Sequence, residues 1–438
     1  MGNTDCRANE IKDKTGMNKL KVTINGTGFA GDYTAQVYGM IPHKNGVEIE
    51  LAGVCSGHLE NAEIFAQKHG IEGAFANHAE MISQIRPHID NIACANYAHG
   101  PYTIEAAEAG AQVIVLEKPP VIWPGHGEER KADGETKKRE TMAYLETVLD
   151  AVRSAGSKLL YAEDFVYFDG VKGLVEVITE ATRRDKGKIL YQQGFCAHQG
   201  SHAPAYDTPS KSGGGALFNK ACHPLGPILY TKQVEGILKN GTPIRPKKVS
   251  AVALQILKHQ PEAAGEHFRV MQNVDDFGRV TIIFDDETVA EVLGYDLSIS
   301  GIKNELSIIA DFGQYDIRIN PNNSNEIFLP DKATSGDILF REKLPTATGT
   351  SFPMPNQFHA HGYVNEMNDA VDCVLNADQY PQSGAMMAWD TMSVLMASYE
   401  SNEKDAVFID ISEYTEGRSF TESEIPNPSD FGTVFQRQ

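Results

Sequence analysis

Two patterns in the chain have residue types that could do chemistry. The first is Gly26-Thr27-Gly28-Phe29-Ala30-Gly31, set between a β-branched run at 20–24 and a helical pattern that continues to Tyr38. Strand, glycine turn and helix in that order form a cradle for a pyrophosphate. Gly26 permits the tight turn, Gly28 lets the backbone approach the anion, and Gly31 lets the helix pack closely on the strand. The helix opening at Phe29 and Ala30 has first-turn N–H groups with no intrahelical partner, and these would hold the phosphates. The second pattern is a series of polar residues at strand ends: Asn96, Tyr97 and His99 after one apolar run, and Glu117, Lys118 and Pro119 after the next. Far downstream stands His223, whose ordinary pKa suits proton exchange near neutral pH.

These groups need a sheet to bring them together. Apolar runs at 48–55, 73–75, 91–95, 112–116 and 158–162 alternate with helical patterns at 59–69, 79–85, 102–109 and 141–154, as a doubly wound parallel sheet requires. Loops after such strands share one edge, where ligands bind. The run at 48–55 ends in Ser56-Gly57-His58 where a dinucleotide-binding unit meets the adenosine ribose. A carboxylate that would exclude a 2′-phosphate is missing there, and no Arg or Lys follows closely, so NAD is expected and NADP stays open. Residues 124–140 are charged and glycine-containing, and read as a surface insertion.

Composition narrows the partners. The 39 Lys+Arg against 59 Asp+Glu give a formal charge of -20, which repels nucleic-acid backbones. Six scattered cysteines without a C-x-x-C pair read as reduced core residues of a cytoplasmic protein rather than as a metal site. No run approaches a membrane span, and the polar residues 1–18 read as a disordered lead. With 438 residues the chain exceeds one ordinary core, so two domains are expected: a dinucleotide-binding domain at 19–162 and a substrate and oligomerisation domain at 163–411, with a tail at 412–438.

The glycine loop, Asn96-x-x-His99, Ala109-Gly110 and Glu117-Lys118-Pro119, taken together, resemble the glucose-fructose oxidoreductase/inositol dehydrogenase family, often called Gfo/Idh/MocA, over about residues 20–401. The resemblance implies an α/β fold, with an N-terminal Rossmann domain followed by an α+β domain built on a large, mostly antiparallel sheet. It also implies an NAD(P)-dependent oxidoreductase acting on a ring hydroxyl of a sugar, glycoside or cyclitol. By the same resemblance Lys118 lies between nicotinamide and substrate, a cis bond precedes Pro119, and the second sheet's open face pairs subunits into a homodimer or homotetramer. Ser56-Gly57 is similar to an NADP-holding loop of the family, but Asn61 stands where that loop has a lysine.

The run Gly213-Gly214-Gly215 leading to Asn219-Lys220-Ala221-Cys222-His223 is similar to the family's glycine run before Asp-x-x-x-His, with Asn219 in place of the aspartate. Asn can only hydrogen-bond, so the acid/base pair is altered, and Lys118 and His223 are expected to handle the proton while Asn219 orients substrate. Candidate substrate contacts are Glu163, Asp164, His198, His202, Tyr206 and Lys220. Glu163 and Asp164 could instead cap the helix near Gly170. His198 and His202 have i, i+4 spacing, but glycine and proline around them argue against a metal-binding helix. Beyond residue 247, alternating strands at 248–256, 280–284, 288–295, 305–310 and 315–319 indicate the antiparallel sheet. Two other activities fit the same scaffold: an NAD-dependent glycosidase working by transient C3 oxidation and elimination, and a non-catalytic nicotinamide sensor.

Overall fold

The computed structural model describes residues 18–125, 132–200, 204–265, 267–299, 301–320, 327–329, 349–351, 358, 361–428 and 431. Residues 1–17 of the expected lead, residues 126–131 of the expected insertion and His202 lie outside the described residues.

The N-terminal sheet is built from β1 (Lys19–Asn25), β2 (His43–Lys44), β3 (Val47–Cys55), β4 (Gly73–Phe75), β5 (Ile89–Ile92), β6 (Val113–Glu117) and β7 (Lys158–Ala162). Its spatial order is β4-β3-β1-β5-β6-β7, all parallel, with β2 a short antiparallel hairpin against the start of β3. Helices α1 (Phe29–Met40), α2 (Leu59–His69), α3 (His78–Ile85), α4 (His99–Glu108) and α5 (Gly134–Ala155) form its crossovers. Leu20, Val22 and Ile24 of β1 are fully buried, and burial of each such side chain contributes about 1.5–3 kcal/mol. Asn25 is level with Cys55 on one side and Ile92 on the other. The strand order reverses there, so the loops after β1 and β5 splay apart and open a crevice.

The strand after α3 runs Ile89–Ile92, two residues earlier than expected, and α4 begins at His99. The larger correction concerns the insertion at 124–140. Its second half is helical: α5 begins at Gly134, where Asp133 caps by accepting from Thr136 N at 2.8 Å. Charge hid these first two turns from a reading by apolar periodicity. Lys138, charged yet buried, is held there by Glu400 at 2.7 Å.

The second sheet comprises β8 (Ile189–Ala197), β9 (Pro246–Leu254), β10 (Phe277–Phe284), β11 (Val289–Tyr295), β12 (Lys303–Ala310) and β13 (Gly313–Asn320), in the order β13-β12-β8-β11-β10-β9, with Ile409–Asp410 on the far edge. Neighbours are antiparallel except β8 and β11. β8 was not expected from sequence, yet it is central. Helix Cys222–Asn240 packs across it at Gly194, where a Cβ would stand 2.9 Å from Pro224 Cβ. That close approach brings His223 to the sheet. Helices Tyr363–Leu375 and Ala385–Glu403 return to pack on α1 and α5 respectively, so the C-terminal part closes over the first sheet.

One buried polar network braces the Rossmann core. His78, 2% exposed, donates to Asp90 Oδ2 and Glu105 Oε2, each at 2.8 Å, while Thr23 donates to Asp90 Oδ1 at 2.6 Å. Burial alone would discharge the imidazole, but the two carboxylates outweigh it and raise its pKa. Because the folded-state pKa lies above the unfolded value, this stabilisation is complete below pH about 6.5 and is lost as pH rises through the folded pKa. His78→Gln should lower the unfolding free energy by about 3 kcal/mol at pH 6, through the unpaired Asp90 it leaves, and by less at pH 9. Denaturant unfolding of both proteins across that range checks this.

Candidate active site

At the first loop, geometry explains each glycine. Gly26 has φ 128°, and a Cβ there would lie 2.2 Å from Ala93 O; a Cβ on Gly31 would lie 2.0 Å from Gly26 O. Gly28, the N-cap of α1, has open space where its side chain would be, and no side chain caps the helix. Phe29 follows, 57% exposed. A bare twelve-residue helix N-terminus with an unobstructed approach fits the pyrophosphate of a dinucleotide. Ser56 lies beside this loop, its Oγ 3.3 Å from Thr27 Oγ1, and His58 is exposed at the start of α2.

Next to the loop is a cavity of about 220 Å³. Phe29, Ala30 and Tyr33 of α1 line it, with Cys94, Asn96 and His99 after β5, Glu117 and Lys118 after β6, and Asp164 and Phe165 after β7. From the second domain come Cys196, His198, Tyr206, Lys220, His223, Ile302 and Asn304, while Tyr363 and Glu366 come from the returning helix. The Lys118–Pro119 peptide is cis. Lys118 Nζ donates to Asn219 O at 3.4 Å. Burial works against the lysine's charge, yet Cys222, Tyr206, Glu117 and Glu163 around it more than offset that and hold its pKa above the usual lysine range. Glu117 is pushed up to about 7 by burial and by Asp164, with Lys118 opposing, and it accepts a hydrogen bond from Tyr33 Oη.

His223 meets Glu163. Its Nδ1 lies 2.9 Å from Glu163 Oε1, and Phe165 packs its ring at 5.1 Å between centroids. Glu163 is fully buried, and burial raises its carboxyl well above the usual range. Sequence reasoning had put Glu163 against substrate or at a helix cap; instead it stands behind the imidazole. It supplies the carboxylate partner that Asn219 lacks. Donor atoms of Glu163, Cys222 and His223 fall within 4.8 Å of one another, but the Lys118 ammonium close by opposes a metal cation there.

Other expected residues have structural work. Asn219 Nδ2 donates to Gly214 O and Gly215 O at 2.7 and 3.2 Å, which turns the side chain into the glycine run rather than the cavity. His99 has Nδ1 2.6 Å from Pro119 O and Nε2 3.2 Å from Cys94 O. Carbonyls only accept and burial lowers the imidazole pKa, so the neutral ring has one N–H to donate, and the shorter contact, to Pro119 O, anchors the loop that carries Lys118. Asn96 Nδ2 donates to Ser212 O at 2.9 Å, which joins the domains. Glu163, Asn219, Gly26, Gly28, Gly31, Ser56 and His58 are not among the residues that line the cavity. Lys220 Nζ lies 5.4 Å from the centroid of the Tyr206 ring. His361 is buried.

Sequence reasoning missed Tyr33 and Glu366. Tyr33 is one helical turn after Phe29, on the face that must look into the crevice. Glu366 interrupts the apolar stripe Tyr363, Met367, Ala370, Val371 at an i+3 position, and a carboxylate there was the legible signal.

The fold and this crevice define the class by architecture: a Rossmann domain whose nucleotide edge is faced by a second sheet domain. Residues 20–143 match the family described as "Oxidoreductase family, NAD-binding Rossmann fold". Over 125 residues, 28% of this chain, the sequence is 29% identical to the D-glucoside 3-dehydrogenase of Escherichia coli (strain K12), a match that spans 34% of that relative's length. Solved structures extend the likeness of fold to 90% of the chain. GenD2 from gentamicin A biosynthesis, in complex with NAD, aligns over 97% of its own chain with TM-score 0.71 at 18% identity. The scyllo-inositol dehydrogenase from Lactobacillus casei with NAD(H) and scyllo-inositol aligns over 99% with TM-score 0.65 at 16% identity. No helix among the described residues is long and apolar enough to cross a membrane.

The glycine run is itself pinned. Asp275 accepts from Gly215 N at 3.2 Å, Leu217 N at 2.6 Å and Tyr399 Oη at 2.8 Å. Asp275→Ala strands these donors and should cost about 3 kcal/mol of stability. A thermal or denaturant melt unchanged by the substitution contradicts this.

Proposed function

We propose that the protein oxidises a ring hydroxyl of a sugar, glycoside or cyclitol with NAD as hydride acceptor, Lys118 and His223 handling the hydroxyl proton. The observation that carries this reading is their convergence, from opposite domains, on one cavity beside the open glycine loop. Nicotinamide, when bound, supplies the redox chemistry. Lys118 donates a hydrogen bond to the reacting oxygen and stabilises charge that develops on it. His223, its Nδ1 engaged by Glu163, takes the hydroxyl proton at Nε2. The carboxylate behind it makes the pair a stronger base than imidazole alone and fixes the ring's direction. The uncharged Asn61 offers a 2′-phosphate no partner, which favours NAD over NADP.

We also infer a homodimer or homotetramer through the open face of the second sheet, where half-exposed Phe195, Phe277 and Tyr295 lie in stacked array. Light scattering that returns a monomer mass contradicts it.

NAD reduction with a panel of sugars, glycosides and cyclitols tests the reaction. Lys118→Ala and His223→Ala should each lower kcat by about 100-fold or more, while NAD affinity by equilibrium dialysis is kept. Unchanged rates in both variants remove the assignment. Glu163→Gln removes the carboxyl that shares a proton with the imidazole, so the acidic limb of the pH–rate profile should move to lower pH as kcat falls. An unmoved limb means that Glu163 serves only packing.

A further inference from the structure

The cavity holds more acid than the proposed proton handling uses. Glu117, Glu163, Asp164 and Glu366 surround it or back its wall, from three different elements. Glu163 is bonded to His223 and Glu117 to Tyr33. Glu366 is different. It is 0% exposed yet lines the cavity, and neither of its carboxylate oxygens has a hydrogen-bond partner. Its charged surroundings are of its own sign: Asp164, Glu117 and Asp369 all act to push its carboxyl up, adding to the effect of burial. Asp369 itself accepts from Tyr167 Oη and Gln382 N, so it is anchored by neighbours rather than paired with Glu366. Neither Lys118 nor Lys220 bonds Glu366.

A buried acceptor pair without a donor, at the wall of a ligand cavity, indicates a donor carried by the ligand. The like-charged neighbours decide which donor. A hydroxyl would offer one hydrogen and no charge, and would leave the repulsion among Glu366, Asp164 and Glu117 in place. An ammonium offers three donors and offsets that repulsion in a low-dielectric site. We propose that Glu366 is a specificity-determining residue that selects a ring bearing an ammonium group, an aminodeoxy sugar or an aminocyclitol. This rests on the oxidoreductase reading for the ring's orientation, but its recognition step precedes turnover.

Binding is therefore the test. Titration calorimetry on the NAD-loaded protein compares D-glucose with glucosamine and kanosamine, and scyllo-inositol with scyllo-inosamine, at pH 7. The expected result is at least one amine bound about tenfold tighter than its hydroxyl parent, a preference that Glu366→Gln reduces to within about twofold without changing NAD affinity. Glu366→Asp, which withdraws the charge by one methylene, keeps the preference in weaker form and covers the case in which the glutamine variant does not fold. The proposal is overturned if no amine is preferred by the wild-type protein, if the preference survives in Glu366→Gln, or if that variant instead loses NAD, which would assign the carboxylate to the cofactor. Binding is read apart from turnover: an amine preference in a protein that reduces no NAD with the substrate panel above would sink the oxidoreductase reading alone, and NAD reduction without an amine preference would sink this one alone.

Discussion

A single buried charge organises this molecule. The Lys118 ammonium sits at the meeting point of two domains, where water cannot solvate it fully, and Cys222 and Tyr206, with Glu117 and Glu163 behind them, hold it protonated. Burying a cation is costly unless it is paired and hydrogen-bonded, and the pairing groups are themselves costly to bury without it. Glu117 from the preceding residue and Glu163 from the next strand's end are the other half of that bargain. The charge of Lys118 and the basicity of the Glu163–His223 pair are thus one electrostatic arrangement.

Its geometry depends on contacts remote from the cavity. Asp275 ties the glycine run to β10's entry, Gly194 admits helix Cys222–Asn240 close to β8, and His99 locks the loop that carries Lys118. None of these groups needs to touch a ligand. Each removes freedom from a group that does, and such pre-organisation keeps proton carriers at a working distance without reorganisation when a ligand arrives. The returning helices add a wall that the first domain lacks, and with it Tyr363 and Glu366.

Much of this was legible in the sequence. The Rossmann strand order follows from alternation of apolar runs and helices, and the glycine loop announced its turn. Lys118 and His223 stood out because cis-proline and glycine-run motifs flank them. What was hidden had physical causes. β8 was missed because Gln192 and Gln193 interrupt its apolar character, although Gln192 is satisfied internally by Ile228 O and Thr231. The start of α5 was hidden because charge holds it in place. Glu163 was assigned to substrate because sequence cannot show that a carboxylate sixty residues away replaces the one missing four residues before His223. Asn219, expected in the cavity, turned inward because its amide satisfies the carbonyls of the glycine run.

The account stands on where the reacting oxygen sits between the two domains. A structure of the protein with NAD and whichever polyol of the panel is oxidised would locate it. The account requires the reacting hydroxyl within about 3.2 Å of both Lys118 Nζ and His223 Nε2, with the nicotinamide ring on the glycine-loop side. A hydroxyl out of reach of both groups, or a nicotinamide lodged away from this cavity, would contradict it.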